Sequence, residues 1–145
     1  MSGIPMEVFV AAFEDGETIT RLSFAIHDGN VAAGWWTDLD TGQDLAAEVR
    51  SGSRFGKALV AEKIALGHSE LSEALEGHRK GLMDDKLSHR LMVEVEIADA
   101  IIRELDLAGA LGLDVGGAIF DKLAYNAQRA DHKPENRLKA GGKAY

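Results

Sequence analysis

Apolar side chains recur at helical spacing in four segments of the chain, and each segment is predicted to form an α-helix. The predicted helices cover about residues 18–33, 57–77, 84–109 and 115–133. The third has the most regular pattern, a 4-4-3-4-3 spacing made by Leu87, Leu91, Val95, Ala98, Ile102 and Leu105. Such a stripe over five turns is typical of a helix that packs on one side. We therefore expect an all-α fold, a bundle of four main helices.

Residues that favour helix ends mark the limits of these segments. The candidate N-caps are Thr18 or Thr20 for the first helix, Asp84 or Asp85 for the third, and Asp114 for the fourth. Gly109 and Gly112 are expected to end the third helix. The fourth must stop before Pro134, because proline cannot continue a helix.

Three segments lie outside the four predicted helices. Residues 1–16 form an N-terminal extension, in which residues 6–13 fit a strand or a helix equally well. Residues 37–56 are predicted to be a long loop or insertion, with a short helix near residues 45–49. Residues 131–145 form a polar tail without core residues. A length of 145 residues fits a single domain, residues 1–145.

The second predicted helix is apolar on two sides. One stripe consists of Val60, Ile64, Gly67, Leu71 and Leu75. Leu59 and Leu66 lie on another side of the same helix. In a chain this small, a helix of that kind usually lies in the middle of a bundle or at a subunit interface. We therefore expect the bundle to be completed across a subunit interface in a homo-oligomer.

Composition and charge exclude several classes of protein. The chain has no cysteine, which excludes disulfides, Cys-based zinc sites and Cys nucleophiles. Its formal net charge of −8 makes it a poor candidate for DNA or RNA binding. Its longest strongly apolar run, residues 8–13, is too short to span a bilayer and follows no basic region of a secretory signal. We expect a cytoplasmic protein with no membrane or nucleic-acid partner.

The charge is distributed unevenly along the chain. Residues 1–121 contain 22 acidic and 10 basic residues, whereas residues 122–145 contain 2 acidic and 6 basic residues. This asymmetry fits a solvated basic tail, which composition alone favours. It also fits a metal-binding carboxylate site beside a basic end that binds phosphate.

Four carboxylates occupy two of the predicted helices at positions that a solvated face does not fully explain. Asp99 lies only about 40° around the third helix from Val95, the centre of its apolar stripe, and Glu96 about 100°. Glu70 and Glu73, three residues apart, lie side by side on the second helix. Pairing these helices would bring the four carboxylates together, and oxygen-only ligands favour Mg²⁺ or Mn²⁺. The alternative is that these are ordinary surface spacings, with Lys or Arg partners.

Three motifs carry a family resemblance. They are an ExxE motif at Glu70–Glu73, an ExxD motif at Glu96–Asp99 after 22 intervening residues, and a KxxxNxxR element at Lys122–Arg129. Together they resemble the MazG-like nucleoside triphosphate pyrophosphohydrolases of the all-α NTP pyrophosphatase superfamily. His27 and Gly34-Trp35-Trp36 look like the family's first-helix and tryptophan element. The resemblance covers about residues 19–36 and 57–134, and residues 37–55 are longer than the family pattern leads us to expect.

The resemblance implies Mg²⁺-dependent hydrolysis of a (d)NTP to the (d)NMP and pyrophosphate, in nucleotide pool control or housecleaning. It implies that Mn²⁺ is a possible substitute and that the protein is a dimer or a dimer of dimers. The catalytic metal ligands would be Glu70, Glu73, Glu96 and Asp99. The substrate-binding residues would be His27 and Trp36 for the nucleobase, and Lys122, Asn126 and Arg129 for the triphosphate.

Two other classes of enzyme fit the sequence less well. A di-iron carboxylate bundle needs ExxH on two helices, but Glu73 and Asp99 stand where its histidines would be. A histidine-aspartate phosphohydrolase, suggested by His27-Asp28, lacks further paired histidine ligands. The alternative that stays open is a non-catalytic helical interaction or scaffold protein whose acidic groove binds a basic partner.

Overall fold

The computed structural model describes residues 16–140, and this part of the chain is all-helical. Its helices are α1 (Glu17–Ala32), α2 (Leu45–Ser51), α3 (Arg54–Lys80), α4 (Met92–Leu111), α5 (Val115–Gln128) and the single turn α6 (Pro134–Arg137). A 3-10 turn, Ala130–His132, precedes α6. Within residues 16–140 the only β pairing is two isolated bridges. The predicted all-α class is confirmed, and the ambiguous segment at residues 6–13 lies outside the described residues.

The described residues fall into two compact units. One unit is residues 21–113, which include most of α1 and all of α2, α3 and α4. The other consists of residues 16–20 and 114–140. No helix among the described residues is long and apolar enough to cross a membrane.

The helix α3 is longer at both ends than its apolar pattern predicts. It begins at Arg54, because the Ser53 hydroxyl accepts a hydrogen bond from the Gly56 backbone N–H at 2.8 Å. It ends at Lys80, where Gly81 adopts a left-handed φ of 63°. The expected end at Gly77 is wrong. That glycine lies inside the helix, against the side chain of Met92.

The helix α4 begins later than the sequence pattern predicts. Its N-cap is Leu91, which makes no side-chain capping bond, so neither Asp84 nor Asp85 is the cap. Asp84 is buried and instead accepts hydrogen bonds from the backbone N–H groups of Lys86 and Leu87, which closes a turn. The apolar period continued through that turn, which is why the prediction extended the helix too far.

The predicted helix ends are wrong at two further positions and correct at two others. Thr18 and Thr20 lie inside α1, which begins at Glu17, and are not its N-caps. Gly109 lies inside α4, whereas Gly112, the other glycine predicted to end this helix, is its C-cap with a φ of 67°. Asp114 is the N-cap of α5, as predicted, and accepts from the Gly117 N–H at 2.9 Å.

The core forms where the segment after α1 meets α2 and α4. Trp36 is 2% exposed and packs with Ala46 and Val49 from α2 and with Leu107 and Ala110 from α4. The short helix predicted near residues 45–49 is therefore present as α2. It extends to Ser51, two residues beyond the predicted part, and supplies two core side chains, while the end of the segment already belongs to α3, which begins at Arg54.

Residues 37–44 between Trp36 and α2 close on themselves. Thr37 and Asp44 form one of the β-bridges, and the Asp38 N–H donates to the Gln43 carbonyl at 2.9 Å. The Asp38 carboxylate accepts from the backbone and the hydroxyl of Thr41, at 2.7 Å each. The loop is thus held by its own hydrogen bonds, and both of its ends are fixed at the core.

Large apolar side chains of α3 and α4 are exposed in the single chain. Leu71 and Leu75 on α3 are 53% and 58% exposed, and Ile64 continues the same stripe. On α4, Ile97 and Ile101 are also exposed and lie one turn apart. An apolar surface that extends over two neighbouring helices is a typical feature of a contact surface.

The helices α1 and α4 approach each other closely at Gly109. This close approach predicts how a substitution of Gly109 changes the free energy of unfolding. A Cβ at this position would lie 2.6 Å from the Ser23 carbonyl oxygen and 2.7 Å from the His27 Cβ. Because the first neighbour is backbone, the helices must separate to accept it. We expect Gly109→Ala to lower the free energy of unfolding by about 1–3 kcal/mol in urea denaturation.

Gly29→Ala on α1 is the matched control, because a Cβ there meets nothing within 4 Å. It should be neutral or stabilise the protein by up to about 1 kcal/mol, as alanine favours helix over glycine. Equal effects of the two substitutions would contradict the close approach at Gly109.

Candidate metal centre

Three carboxylates from α3 and α4 meet where these helices pack together. Glu70, Glu96 and Asp99 each offer one oxygen, and these oxygens lie within 4.8 Å of one another. Glu70 and Glu96 are buried, and Asp99 is half-buried. We call these three residues the acidic cluster. It contains three of the four carboxylates that the sequence predicts as metal ligands.

Glu73, the fourth predicted ligand, is exposed and lies outside this cluster. It is nevertheless close enough for its negative charge to raise the pKa of Glu96. The structure therefore places Glu73 at the edge of the cluster, on the solvent side.

Glu96 is the carboxyl group most affected by its surroundings. Its pKa is raised from an ordinary 4.5 to about 7, first by burial and next by a hydrogen bond with Glu70. The negative charges of Glu73, Glu70 and Asp99 act in the same direction. Near neutral pH, Glu96 is thus protonated in a large fraction of molecules, and the shared proton reduces the repulsion within the cluster.

The guanidinium group of Arg103, like the proton on Glu96, reduces the negative charge of the acidic cluster. Its Nε donates to Glu70 Oε1 at 2.5 Å, and Glu70 is the more buried partner. Sequence reasoning missed Arg103. Its position could have indicated the role, because Arg103 follows Asp99 by four residues and Glu96 by seven and so lies on the same face of α4.

A second polar group surrounds Asp106, which is only 6% exposed. Its Oδ1 accepts a hydrogen bond from Trp36 Nε1 at 2.8 Å and lies 3.0 Å from His27 Nδ1. The rings of His27 and Trp36 meet edge to face, with 5.1 Å between centroids. The two residues predicted to bind a nucleobase are therefore adjacent, and both are turned towards a buried aspartate that sequence reasoning did not identify.

A cavity of about 270 Å³ lies beside both groups. Asp99 and Arg103 form its side nearest the acidic cluster, and Asp106 also contributes to its wall. Trp35 and Asn30, from the end of α1 and the turn after it, and Lys63 from α3 also line it. The cavity and the acidic cluster thus share Asp99, and Arg103 lines the cavity while its guanidinium pairs with Glu70 of the cluster.

The predicted triphosphate-binding residues belong to the other unit, around α5. Arg129 follows the end of α5, and its guanidinium group forms a two-pronged pair with Asp131, at 2.9 and 2.6 Å. Lys122 Nζ lies 5.0 Å from the ring centroid of Tyr125. The Oδ1 of Asn126 is buried and has no hydrogen-bond partner. This oxygen is an acceptor, so it requires a donor that this arrangement does not provide.

Comparisons with known proteins found no relative. No protein-family model matches the chain, and neither a curated protein nor a solved structure matches it. The resemblance to the MazG-like family therefore rests on the sequence motifs alone.

The raised pKa of Glu96 predicts how stability depends on pH in the metal-free protein. Because the pKa is about 7 in the folded state and 4.5 ordinarily, the folded state binds this proton more tightly. The resulting stabilisation is complete below pH 4.5 and is lost as the pH rises through about 7. We expect Glu96→Gln, measured by urea denaturation in EDTA, to remove this part of the pH dependence.

Glu94→Gln is the control for this experiment, because Glu94 is an exposed neighbour paired with Arg90. Its stability should keep the pH dependence of the wild type. Parallel curves for Glu96→Gln and the wild type between pH 4.5 and 7 would contradict the shifted pKa.

Proposed function

We propose that this protein is a Mg²⁺-dependent nucleoside triphosphate pyrophosphohydrolase that converts a (d)NTP to the (d)NMP and pyrophosphate. The observation that carries the proposal is the acidic cluster, in which buried Glu70 and Glu96 and half-buried Asp99 converge from two helices. The ExxE and ExxD motifs that supply these residues, with the KxxxNxxR element, are the basis for the substrate class.

The acidic cluster fits a hard divalent cation for two reasons. Its donors are all carboxylate oxygens, the ligands that Mg²⁺ and Mn²⁺ prefer. In addition, burial and, to a smaller extent, the neighbouring carboxylates raise the pKa of Glu96, and a bound cation would favour its charged form. Glu70, Glu96 and Asp99 would hold the cation, with Glu73 at the open edge. When bound, Mg²⁺ neutralises the negative charge that develops on phosphoryl oxygens.

The residues around the cluster supply the other parts of the chemistry. Glu73 is exposed beside the cluster, so we assign it the proton of the attacking water. The water oxygen bonds to one phosphorus of the α–β anhydride, and the other phosphoryl group leaves with the bridging oxygen. Arg103, released from Glu70 when a cation takes over its neutralising role, would contact the phosphates.

The basic residues of α5 and the tail are proposed as further triphosphate ligands. Lys122 and Asn126 lie one turn apart on α5. Arg129 would have to exchange its pair with Asp131 for a phosphate. This part of the proposal rests on the sequence motif.

We also propose that two or four copies assemble, with α3 and α4 of each copy forming a four-helix bundle with those of another. The support is the exposed apolar surface of Ile64, Leu71 and Leu75 on α3 and of Ile97 and Ile101 on α4. A single chain leaves this surface in water, and self-association would remove it.

The alternative function is a scaffold protein whose acidic cluster binds a basic partner. It would need negative charge but no cation. The pyrophosphohydrolase would require Mg²⁺ and each of the carboxylates. The scaffold protein would require no Mg²⁺ and would tolerate the loss of any one carboxylate.

The enzymatic proposal is tested with canonical and modified NTPs and dNTPs, measuring pyrophosphate separately from orthophosphate. We expect pyrophosphate release with Mg²⁺ that is abolished by EDTA. Glu70→Gln and Asp99→Asn should each lower kcat/KM by more than about 100-fold, because even indirect partners of metal ligands contribute about 10–100-fold. Glu73→Gln should lower kcat in the same assay.

Glu76→Gln is the matched control on α3, since Glu76 pairs with Lys80 on the surface outside the acidic cluster. It should retain wild-type turnover. Mg²⁺ should also raise the melting temperature of the wild type more than that of Glu70→Gln. Absence of pyrophosphate release from every nucleotide, with Mg²⁺ or Mn²⁺, would favour the scaffold function.

The assembly is tested by light scattering coupled to size exclusion. We expect the wild type to have at least twice the mass of the 15.6 kDa chain. The double substitution Leu71→Gln and Leu75→Gln should shift the population towards the single chain. Leu138→Gln, at a leucine outside α3 and α4 that is 88% exposed, should not. A wild type that stays a single chain at micromolar concentration would exclude the proposed interface.

A further inference from the structure

The two adjacent tryptophans have opposite environments. The N–H of Trp35 donates to the Asn30 carbonyl at 3.0 Å, and Gly34 takes a left-handed φ of 86° in the turn that ends α1. This turn directs Trp36 into the core and leaves Trp35 70% exposed on the wall of the cavity. An indole that is mostly in water, beside a cavity and fixed by its backbone, has the properties of a stacking platform.

Trp36 is not available as such a platform. Its indole N–H is used by Asp106, and it is almost completely buried. Lys63 Nζ lies 4.4 Å from the centroid of its ring and covers one face. The resemblance implied that Trp36 contacts the nucleobase, whereas the geometry gives this role to Trp35.

The polar groups of the cavity define what it would recognise. Both internal interactions of Asp106 use Oδ1, so Oδ2 is the oxygen left for a ligand in the cavity. An N–H group is favourable opposite a carboxylate oxygen, and a carbonyl oxygen there is repelled. Asn30, which also lines the cavity, offers both a donor and an acceptor, and Lys63 offers a further donor for an acceptor atom of the ligand.

The size and position of the cavity limit the ligand. Its volume of about 270 Å³ is just below the range of small-molecule sites, about 300–1,000 Å³. It therefore suits one part of a ligand rather than a whole nucleotide. Asp99 and Arg103 connect it with the acidic cluster, where the phosphates of the same molecule would lie.

We infer that this cavity binds the nucleobase of the substrate, stacked on Trp35, and selects bases that carry an exocyclic amino group through Asp106. The inference rests on the proposed function, because it names the substrate class of that site. Triphosphates of cytosine, adenine or guanine, which carry an exocyclic amino group, are accordingly better substrates than those of uracil or thymine, which carry none. The comparison is most direct between cytosine and uracil, because uracil has a carbonyl group at C4 where cytosine has the amino group.

The stacking role is tested by steady-state kinetics with dCTP, dATP, dGTP, dTTP and dUTP. Trp35→Ala should raise KM for the preferred nucleotide about 5- to 100-fold, the range for loss of one base stack, with a smaller effect on kcat. Trp35→Phe should restore most of the loss. Leu39→Ala, at a 92% exposed leucine in the neighbouring loop, should have wild-type constants.

The selective role of Asp106 is tested with Asp106→Asn, which retains an oxygen for Trp36 and replaces the other with an N–H donor. We expect the preference for dCTP over dUTP to fall at least about tenfold, because a hydrogen-bonded site discriminates strongly against an unpaired group. Circular dichroism would establish folding of this variant. If it does not fold, the same ratio measured in Asn30→Asp should rise, because a second carboxylate favours amino groups.

A binding measurement separates this inference from the proposed function. Addition of dCMP should quench tryptophan fluorescence of the wild type and leave that of Trp35→Phe unchanged, because the remaining Trp36 is buried. If no triphosphate is hydrolysed, the proposed function fails, and the quenching by dCMP still shows whether the cavity binds a nucleobase. Hydrolysis that depends on Glu70 but shows no change of KM in Trp35→Ala would overturn the inference. Equal kcat/KM for dCTP and dUTP would overturn the selection by amino groups.

Discussion

The structure depends on one constraint, which is that α4 turns a stripe of charged side chains towards the neighbouring helices and buries two of them. Glu96, Asp99, Arg103 and Asp106 follow one another at intervals of three, four and three residues and therefore lie on one face of the helix. Two of the carboxylates on this face are buried. Burying a charge without compensation costs several kcal/mol, so the surrounding residues must neutralise each of these groups.

The buried carboxyl groups at this stripe are compensated in different ways, and the differences define the site. The pKa of Glu96 is raised to about 7, Glu70 on the facing helix pairs with Arg103, and Asp106 contacts Trp36 and His27. Asp106 is thereby fixed by the core, whereas Glu96 and Glu70 depend on a proton and on the half-exposed guanidinium of Arg103. The acidic cluster can therefore exchange its proton and its pairing with Arg103 for a cation. Asp106, in contrast, can provide a rigid surface for recognition.

The sequence was sufficient to predict the helices and the pairing of the two acidic motifs, but not which face of α4 turns inward. The apolar stripe through Val95 and Ile102 has the same 3-4 period as the charged stripe, displaced by one residue. Periodicity alone cannot distinguish them, and Ile102 is in fact exposed. Arg103 and Asp106 were missed for this reason. The roles of Trp35 and Trp36 depend on one left-handed glycine, Gly34, which determines the direction of the chain after α1.

The self-closed loop at residues 37–44 has a consequence for variation in length. Its ends are joined by the Thr37–Asp44 bridge, and its tip is stabilised by Asp38. Extra residues inserted at Leu39, which is almost completely exposed, would lengthen the loop without changing the distance between Trp36 and α2. Lengthening a loop costs little free energy, since the entropy of closure grows only with the logarithm of its length. This loop is therefore suited to a fluorescent label or an affinity tag, and it is where natural insertions are best tolerated.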